Sequence, residues 1–205
     1  MLKHICRGIA AGILISLGGG VFLACEDKIV GALFFSVALV CICMLGYTLY
    51  TGKICYMADK PDREKTTELL FGLIGNIIGT AVCGIAVRFA IPKICDAASI
   101  LWVNKLDSQE WWQTLIRAVF CGMLVYLSVE IYKKKGTPLG IILCIPTFIL
   151  SGYEHSIADM FYFAASDVPE KSFAESLLFI AIVVIGNSIG GLLIPLLMKV
   201  GVKEK

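Results

Sequence analysis

SGYEHSIADMF, residues 151–161, places three ionisable side chains, Glu154, His155 and Asp159, in one of the most apolar parts of the chain. GIILCIPTFIL (140–150) precedes it and FYFAA (161–165) closes it. A core or lipid-facing helix does not take three such groups within six residues, because a buried charge without a partner is costly. Inside a membrane span, by contrast, ionisable residues by default line a pathway for ions or protons. The fold therefore turns on whether 151–161 lies within a membrane.

Composition places it there. The 205 residues are 58% hydrophobic and 17% charged, with a mean hydropathy of +0.85; soluble domains run about half apolar and about a quarter charged. Apolar runs fall at roughly 8–25, 29–50, 69–91, 114–132, 138–164 and 176–198. Each meets the need for about 20 residues to cross ~30 Å of hydrocarbon. Lys3 and Arg7 ahead of the first run suggest a signal peptide, but no small-residue cleavage site follows it, so it reads as a span.

Lysine and arginine set the orientation. Lys3, Arg7, Lys53, Lys60, Arg63, Lys65, Lys133, Lys134, Lys135, Lys199, Lys203 and Lys205 share one side of a six-span chain. Only Lys28, Lys93, Lys105 and Lys171 fall on the other. Both termini are expected in the cytoplasm, and KKKG (133–136) reads as a topology signal. Arg88 and Arg117, near the outer ends of spans 3 and 4, are accounted for by snorkelling. The nine cysteines lie mostly within spans and read as small packing residues. No cofactor, metal site or nucleic-acid partner is expected.

The spans repeat. GLIGNIIGTAVCG (72–84) in span 3 matches VVIGNSIGGLLIP (183–195) in span 6 through Gly75-Asn76-x-x-Gly79 and Gly186-Asn187-x-x-Gly190. Upstream, GYTLYTGKICYM (46–57) corresponds to GYEHSIADMFYF (152–163). Three spans separate the copies, so the halves, about 1–100 and 101–205, are expected in opposite orientations. The expected fold is an all-α membrane protein of six transmembrane helices in two inverted three-helix repeats, with helices 2 and 5 broken. Residues 1–205 then form a single transmembrane channel domain. A second reading takes GNxxG as helix-packing grammar alone; its recurrence at matched positions favours the pathway.

These residues resemble the formate/nitrite transporter family of pentameric, aquaporin-like anion channels, along nearly the whole chain. GYEHSIADMF is similar to the family's G-F-E-H-S-x-A-N-M-F signature, GYTLYTG to its G-A-E-L-F-T-G segment, and LIRAVFCGMLVYLSV (115–129) to its fourth span. The resemblance implies an aquaporin-like protomer in a homopentamer. It makes His155 the central pore histidine, with Glu154 beside it and Thr51 in the break of helix 2. It implies an outer apolar slit of Phe35 and Phe148 and an inner one of Leu39, Leu49 and Tyr50. Asn187 would add polar lining, and Lys105 would draw anions into the outer vestibule. Asn76 is the matching asparagine of the first half. Four positions depart from the pattern. Gly122 and Asp159 stand where the family has asparagine, Thr48 where it has an acid, and Tyr50 where it has phenylalanine. Gly122 is read as the loss of a polar pore group.

The chemistry expected is passage of small monovalent anions of weak acids, together with protons, across a lipid bilayer. Formate leads, with hydrosulfide or nitrite close behind, in the plasma (inner) membrane of a prokaryotic cell. A bare ion cannot cross a dry constriction cheaply, whereas its neutral acid can. An imidazole, with an ordinary pKa near ~6.5, suits a proton or hydrogen-bond donor between two slits. Burial and neighbouring carboxylates act on it in opposite senses, so its resting protonation stays open. Blander roles also stand: an interhelical hydrogen bond for His155, a backbone cap for Glu154, and a pair with Lys105 or a cap for Asp159. An enzyme is not expected, since Ser156 and His155 point apart on a helix and a single histidine lies within the spans. A structural subunit would not need duplicated breaks, and the paired Asn-Pro-Ala of water channels is missing.

Overall fold

The computed structural model describes residues 1–59, 61–167 and 172–202. Lys60, Lys171, Lys203 and Lys205 of the charge argument lie outside the described residues. Within them the chain is helical and holds no strand. The helices are α1 (Leu2–Ala24), α2 (Lys28–Leu45), α3 (Tyr50–Lys53, continued by a 3-10 turn at Ile54–Ala58) and α4 (Arg63–Ala90). Then come α5 (Pro92–Ser108), α6 (Trp111–Lys135), α7 (Leu139–Leu150), α8 (Ser156–Ala165) and α9 (Phe173–Val202). Five of the described helices, α1, α2, α4, α6 and α9, are long and apolar enough to cross a membrane.

The apolar run 138–164 is not one helix. α7, of 12 residues, and α8, of 10, flank a non-helical stretch. At 1.5 Å per residue they rise ~18 Å and ~15 Å, each about half of a bilayer core. α2 likewise stops at Leu45, where Gly46 takes a left-handed φ of 70°; Gly152 does the same in the second break at φ 67°. Only glycine adopts that backbone without steric cost.

Close packing holds these pieces in place. α1 lies on α4 through Gly8 and Gly12 against Gly75 and Gly79, and a Cβ on Gly75 would stand 2.7 Å from the Gly8 Cα. α6 lies on α9 in the same way, with Gly186 and Gly190 against Leu115 and Val119 backbone. Small residues let helices approach until their backbones touch, which is how helices associate where water supplies no driving force. Gly75→Val is expected to lower the thermal unfolding midpoint in detergent, by overpacking of about 1–3 kcal/mol; an unchanged midpoint would mean that α1 and α4 can part freely.

α5 is the element that hydropathy does not reveal. Lys93, Asp96, Lys105 and Asp107 disqualify it as a span, yet Ile94, Cys95, Ala98 and Trp102 form one buried face at helical spacing. Trp102 is fully buried, donates from Nε1 to Ser176 Oγ at 2.8 Å, and packs against Phe163 and Phe179 with ring centroids 5.4 Å away. Lys105 follows Trp102 by three residues, on the same face, which delivers its ammonium to the second break. The nine cysteines are all free. Arg88, in the last turn of α4, pairs with Asp167.

Candidate functional site

Each break leaves backbone groups without helical partners, and one asparagine answers each. In the first, Asn76 Oδ1 accepts from Tyr50 N–H at 2.9 Å, and Nδ2 donates to the Thr48 and Gly8 carbonyls at 2.9 Å each. In the second, Asn187 Oδ1 accepts from Ser156 N–H at 2.8 Å, and Nδ2 donates to the Glu154 and Ala118 carbonyls at 2.8 Å each. Partner matches partner at an offset of 106 to 111 residues. The repeated Gly-Asn of the sequence is thus a repeated clamp. Asn187 was expected to supply polar lining; its oxygen and nitrogen both engage backbone.

Between the breaks, Thr51 Oγ1 and His155 Nε2 meet at 2.9 Å, both buried. His155 caps α8, its Nδ1 accepting from Ala158 N–H at 3.2 Å. An accepting Nδ1 leaves the proton of a neutral imidazole on Nε2, which then donates to Thr51. The imidazole stacks on Phe148 (centroids 5.5 Å apart, planes at 14°), and Phe148 meets Phe35 edge to face at 6.4 Å.

A cavity of about 190 Å³ and a smaller one of about 110 Å³ flank this pair. The smaller is lined by Phe35, Phe148, His155, Lys105, Asp159 and Tyr162 among others. The larger is lined by Leu39, Leu49, Lys53, Tyr56, Tyr132 and Lys133 among others. Phe35 and Leu39 are four residues apart on α2, so the cavities approach within about one helical turn, ~6 Å. Leu49, Thr51 and His155 bridge the rest of that gap. Tyr50 lines neither cavity; its hydroxyl pairs with Ser188 Oγ at 2.8 Å.

Charge gathers at both cavities. Lys105, with a side chain 13% exposed, bonds Glu154 and lies 3.2 Å from Asp159 Oδ1. Glu154 Oε1 also accepts from Gln109 Nε2 at 2.7 Å. Among the described residues Asp159 Oδ2 has no hydrogen-bond partner. Of the two roles open to Asp159 in the sequence, the structure shows the pairing with Lys105. At the larger cavity, Lys133 sits 4.2 Å from the Tyr56 ring centroid, and Lys53 pairs with Glu68 at 3.1 Å. The same Glu68 oxygen accepts from the Thr48 hydroxyl at 3.3 Å. A carboxylate from α4 therefore reaches the spot where Thr48 has replaced an acid. Lys133 thus stays exposed while lining the larger cavity, a contact that a topology signal alone does not require.

Gly122 needs correction. A Cβ there would overlap the Asn187 carbonyl of α9, and the residue lines neither cavity. It is a contact between helices, not a vacated pore position. Gln109, Glu68 and Ser188 carried no motif and went unmarked in the sequence. No group of three or more metal-ligating side chains lies close enough for a metal among the described residues.

A family model described as "Formate/nitrite transporter" matches residues 1–201. The chain belongs to the formate/nitrite transporter family. It is 28% identical over 197 residues to the "Probable formate transporter" of Methanothermobacter thermautotrophicus, covering 80% of this chain and 71% of that one. It is 26% identical over 185 residues to the "Formate channel FocA" of Escherichia coli (strain K12), covering 78% and 65%. Two solved structures share the fold. A "Pentameric formate channel with formate bound" matches at a TM-score of 0.82 and 22% identity, over 100% of this chain and 98% of that one. An "FNT family ion channel" matches at 0.78 and 20%, over 97% and 87%. The protein is therefore a multi-pass membrane protein of a family of transporters and channels, not of enzymes.

Proposed function

We propose that residues 1–205 form one channel domain of two inverted three-helix repeats that passes small monovalent anions of weak acids, formate first. Hydrosulfide and nitrite are the next candidates. The chain works as a homopentamer in the plasma (inner) membrane of a prokaryotic cell, both termini in the cytoplasm. The observation that carries this reading is the Thr51–His155 pair held between two cavities, walled by Phe35 and Phe148 on one side and by Leu39 and Leu49 on the other. The formate transporter and formate channel among its relatives support formate, and the pentameric formate channel that shares its fold supports the pentamer. Gly122 gives no reason to prefer the less polar hydrosulfide, since that position lies between α6 and α9.

The cavity with Lys105 faces outward in this reading, and the cavity with Lys53 and Lys133 faces the cytoplasm. An anion enters a vestibule beside a lysine and meets an apolar constriction. Crossing as a bare charge would cost many kcal/mol, so it crosses as the neutral acid or while bound to donors. His155 orders the centre: with Nδ1 held by Ala158 and Nε2–H given to Thr51, the Thr51 hydroxyl proton is free to reach an anion.

Flux in proteoliposomes with formate, nitrite, hydrosulfide and lactate across a pH range tests the reading. Formate is expected to move fastest, and an intact oligomer that moves none of the four would sink it. His155→Gln is expected to flatten the pH profile; a profile unchanged from wild type removes His155 from proton handling. Mass measurement in detergent should give five protomers of 22.3 kDa.

A further inference from the structure

We propose that Asp159 is a proton-handing residue of the outer vestibule, whose carboxyl gives its proton to an anion arriving in the cavity beside His155. This rests on the channel reading above. The geometry supplies three reasons. First, two buried carboxylates, each 1% exposed, share one ammonium, that of Lys105. Two negative charges against one positive charge, out of water, leave an uncompensated anion, and a proton removes it. Second, the two are not equivalent. Glu154 receives Lys105 on one oxygen and Gln109 on the other, so both its oxygens are engaged. Asp159 offers Lys105 only Oδ1, and Oδ2 stands unpartnered on a residue that lines the cavity. Third, the one proton of a neutral His155 is engaged with Thr51. A proton to hand over, beyond the hydrogen bond that Thr51 offers, therefore has to come from another group.

The remaining titratable groups around Asp159 are the Cys121 thiol of α6 and the Tyr162 phenol of α8. α1 and α4 meet α8 through Gly19 and Gly84, against Phe161 and Ala164. Arg88 of α4 is occupied with Asp167 beyond the end of α8. In the transfer, the Asp159 O–H bond breaks and its electron pair stays on the carboxylate. The proton bonds a lone pair of the anion, giving the neutral acid that enters the apolar slit. Asp159 then regains a proton from hydronium in the outer solution, beside the Lys105 charge.

The test is formate uptake and accompanying proton uptake in oriented proteoliposomes, for wild type, Asp159→Asn and Asp159→Glu. A positioned general acid contributes a large factor, so Asp159→Asn is expected to slow uptake near neutral pH about tenfold or more. Uptake should recover at acid pH, where the solution itself supplies the neutral acid, and Asp159→Glu should restore part of the neutral-pH rate. An Asp159→Asn protein with an unchanged pH profile overturns the proposal. So does faster uptake, which would make Asp159 a mere counter-charge to Lys105. If the variant does not assemble, infrared spectroscopy of the wild type decides: a carboxylic-acid carbonyl band at neutral pH is expected, and its absence overturns the proposal. A wild type that moves no anion at all would instead refute the channel reading.

Discussion

Asn187→Ala is expected to leave little assembled, transport-competent protein. The amide makes three hydrogen bonds, two of them to groups inside the break, Ser156 N–H and the Glu154 carbonyl. Neither has a helical partner, and Asn187 is fully buried, so no water replaces it. A buried donor or acceptor left without a partner costs about 1–3 kcal/mol, and here two are orphaned together. The loss of the Ala118 contact adds to this, and the freed segment carries both Glu154 and His155. Asn187→Asp should be nearly as damaging: it keeps the acceptor for Ser156 but loses both donors and buries a charge. Asn76→Ala should fail in the same way, through Tyr50 N–H and the Thr48 carbonyl. The measurement is the unfolding midpoint in detergent together with oligomer mass. An Asn187→Ala protein as stable as wild type would show that the clamp is redundant.

This clamp also shows what the sequence makes legible. The spans follow from hydropathy, and the breaks from glycine and polar residues at membrane depth, because both are local properties of the chain. The recurrence of Gly-Asn is visible too, and so is the pairing of one break in each half. Which way an amide points was not: Asn187 reads as pore lining from its place in a motif, and only the backbone around it reveals three waiting partners. Gly122 misled for the same reason, since a missing side chain cannot tell whether a lumen or a helix lies opposite. α5 forms no apolar run and so does not stand out in hydropathy, though Ile94, Ala98 and Trp102 recur every four residues. Glu68 and Gln109 lie 20 and 45 residues from their partners Thr48 and Glu154, beyond any local signal.

Lys105→Met is expected to destabilise the folded protein by about 3–5 kcal/mol, the usual cost of removing one partner from a buried ion pair. Methionine keeps most of the stem, so packing beside Trp102 survives and the loss is electrostatic. Glu154 would then keep Gln109 but lose the ammonium, and Asp159 would lose the same ammonium at Oδ1. Because the destabilisation comes from stranded charge, removing the charge should restore stability, even though no contact is regained. The choice of rescuing substitution is informative. If Asp159 already carries a proton, Lys105→Met with Glu154→Gln leaves no charge in the cluster and should recover most of the lost stability. If both carboxylates are ionised, that double variant still strands Asp159, and recovery requires Asp159→Asn as well. Unfolding midpoints of the single, double and triple variants separate the two cases. A Lys105→Met protein with wild-type stability would mean that the ammonium holds neither carboxylate, and that the charge at this mouth is set elsewhere.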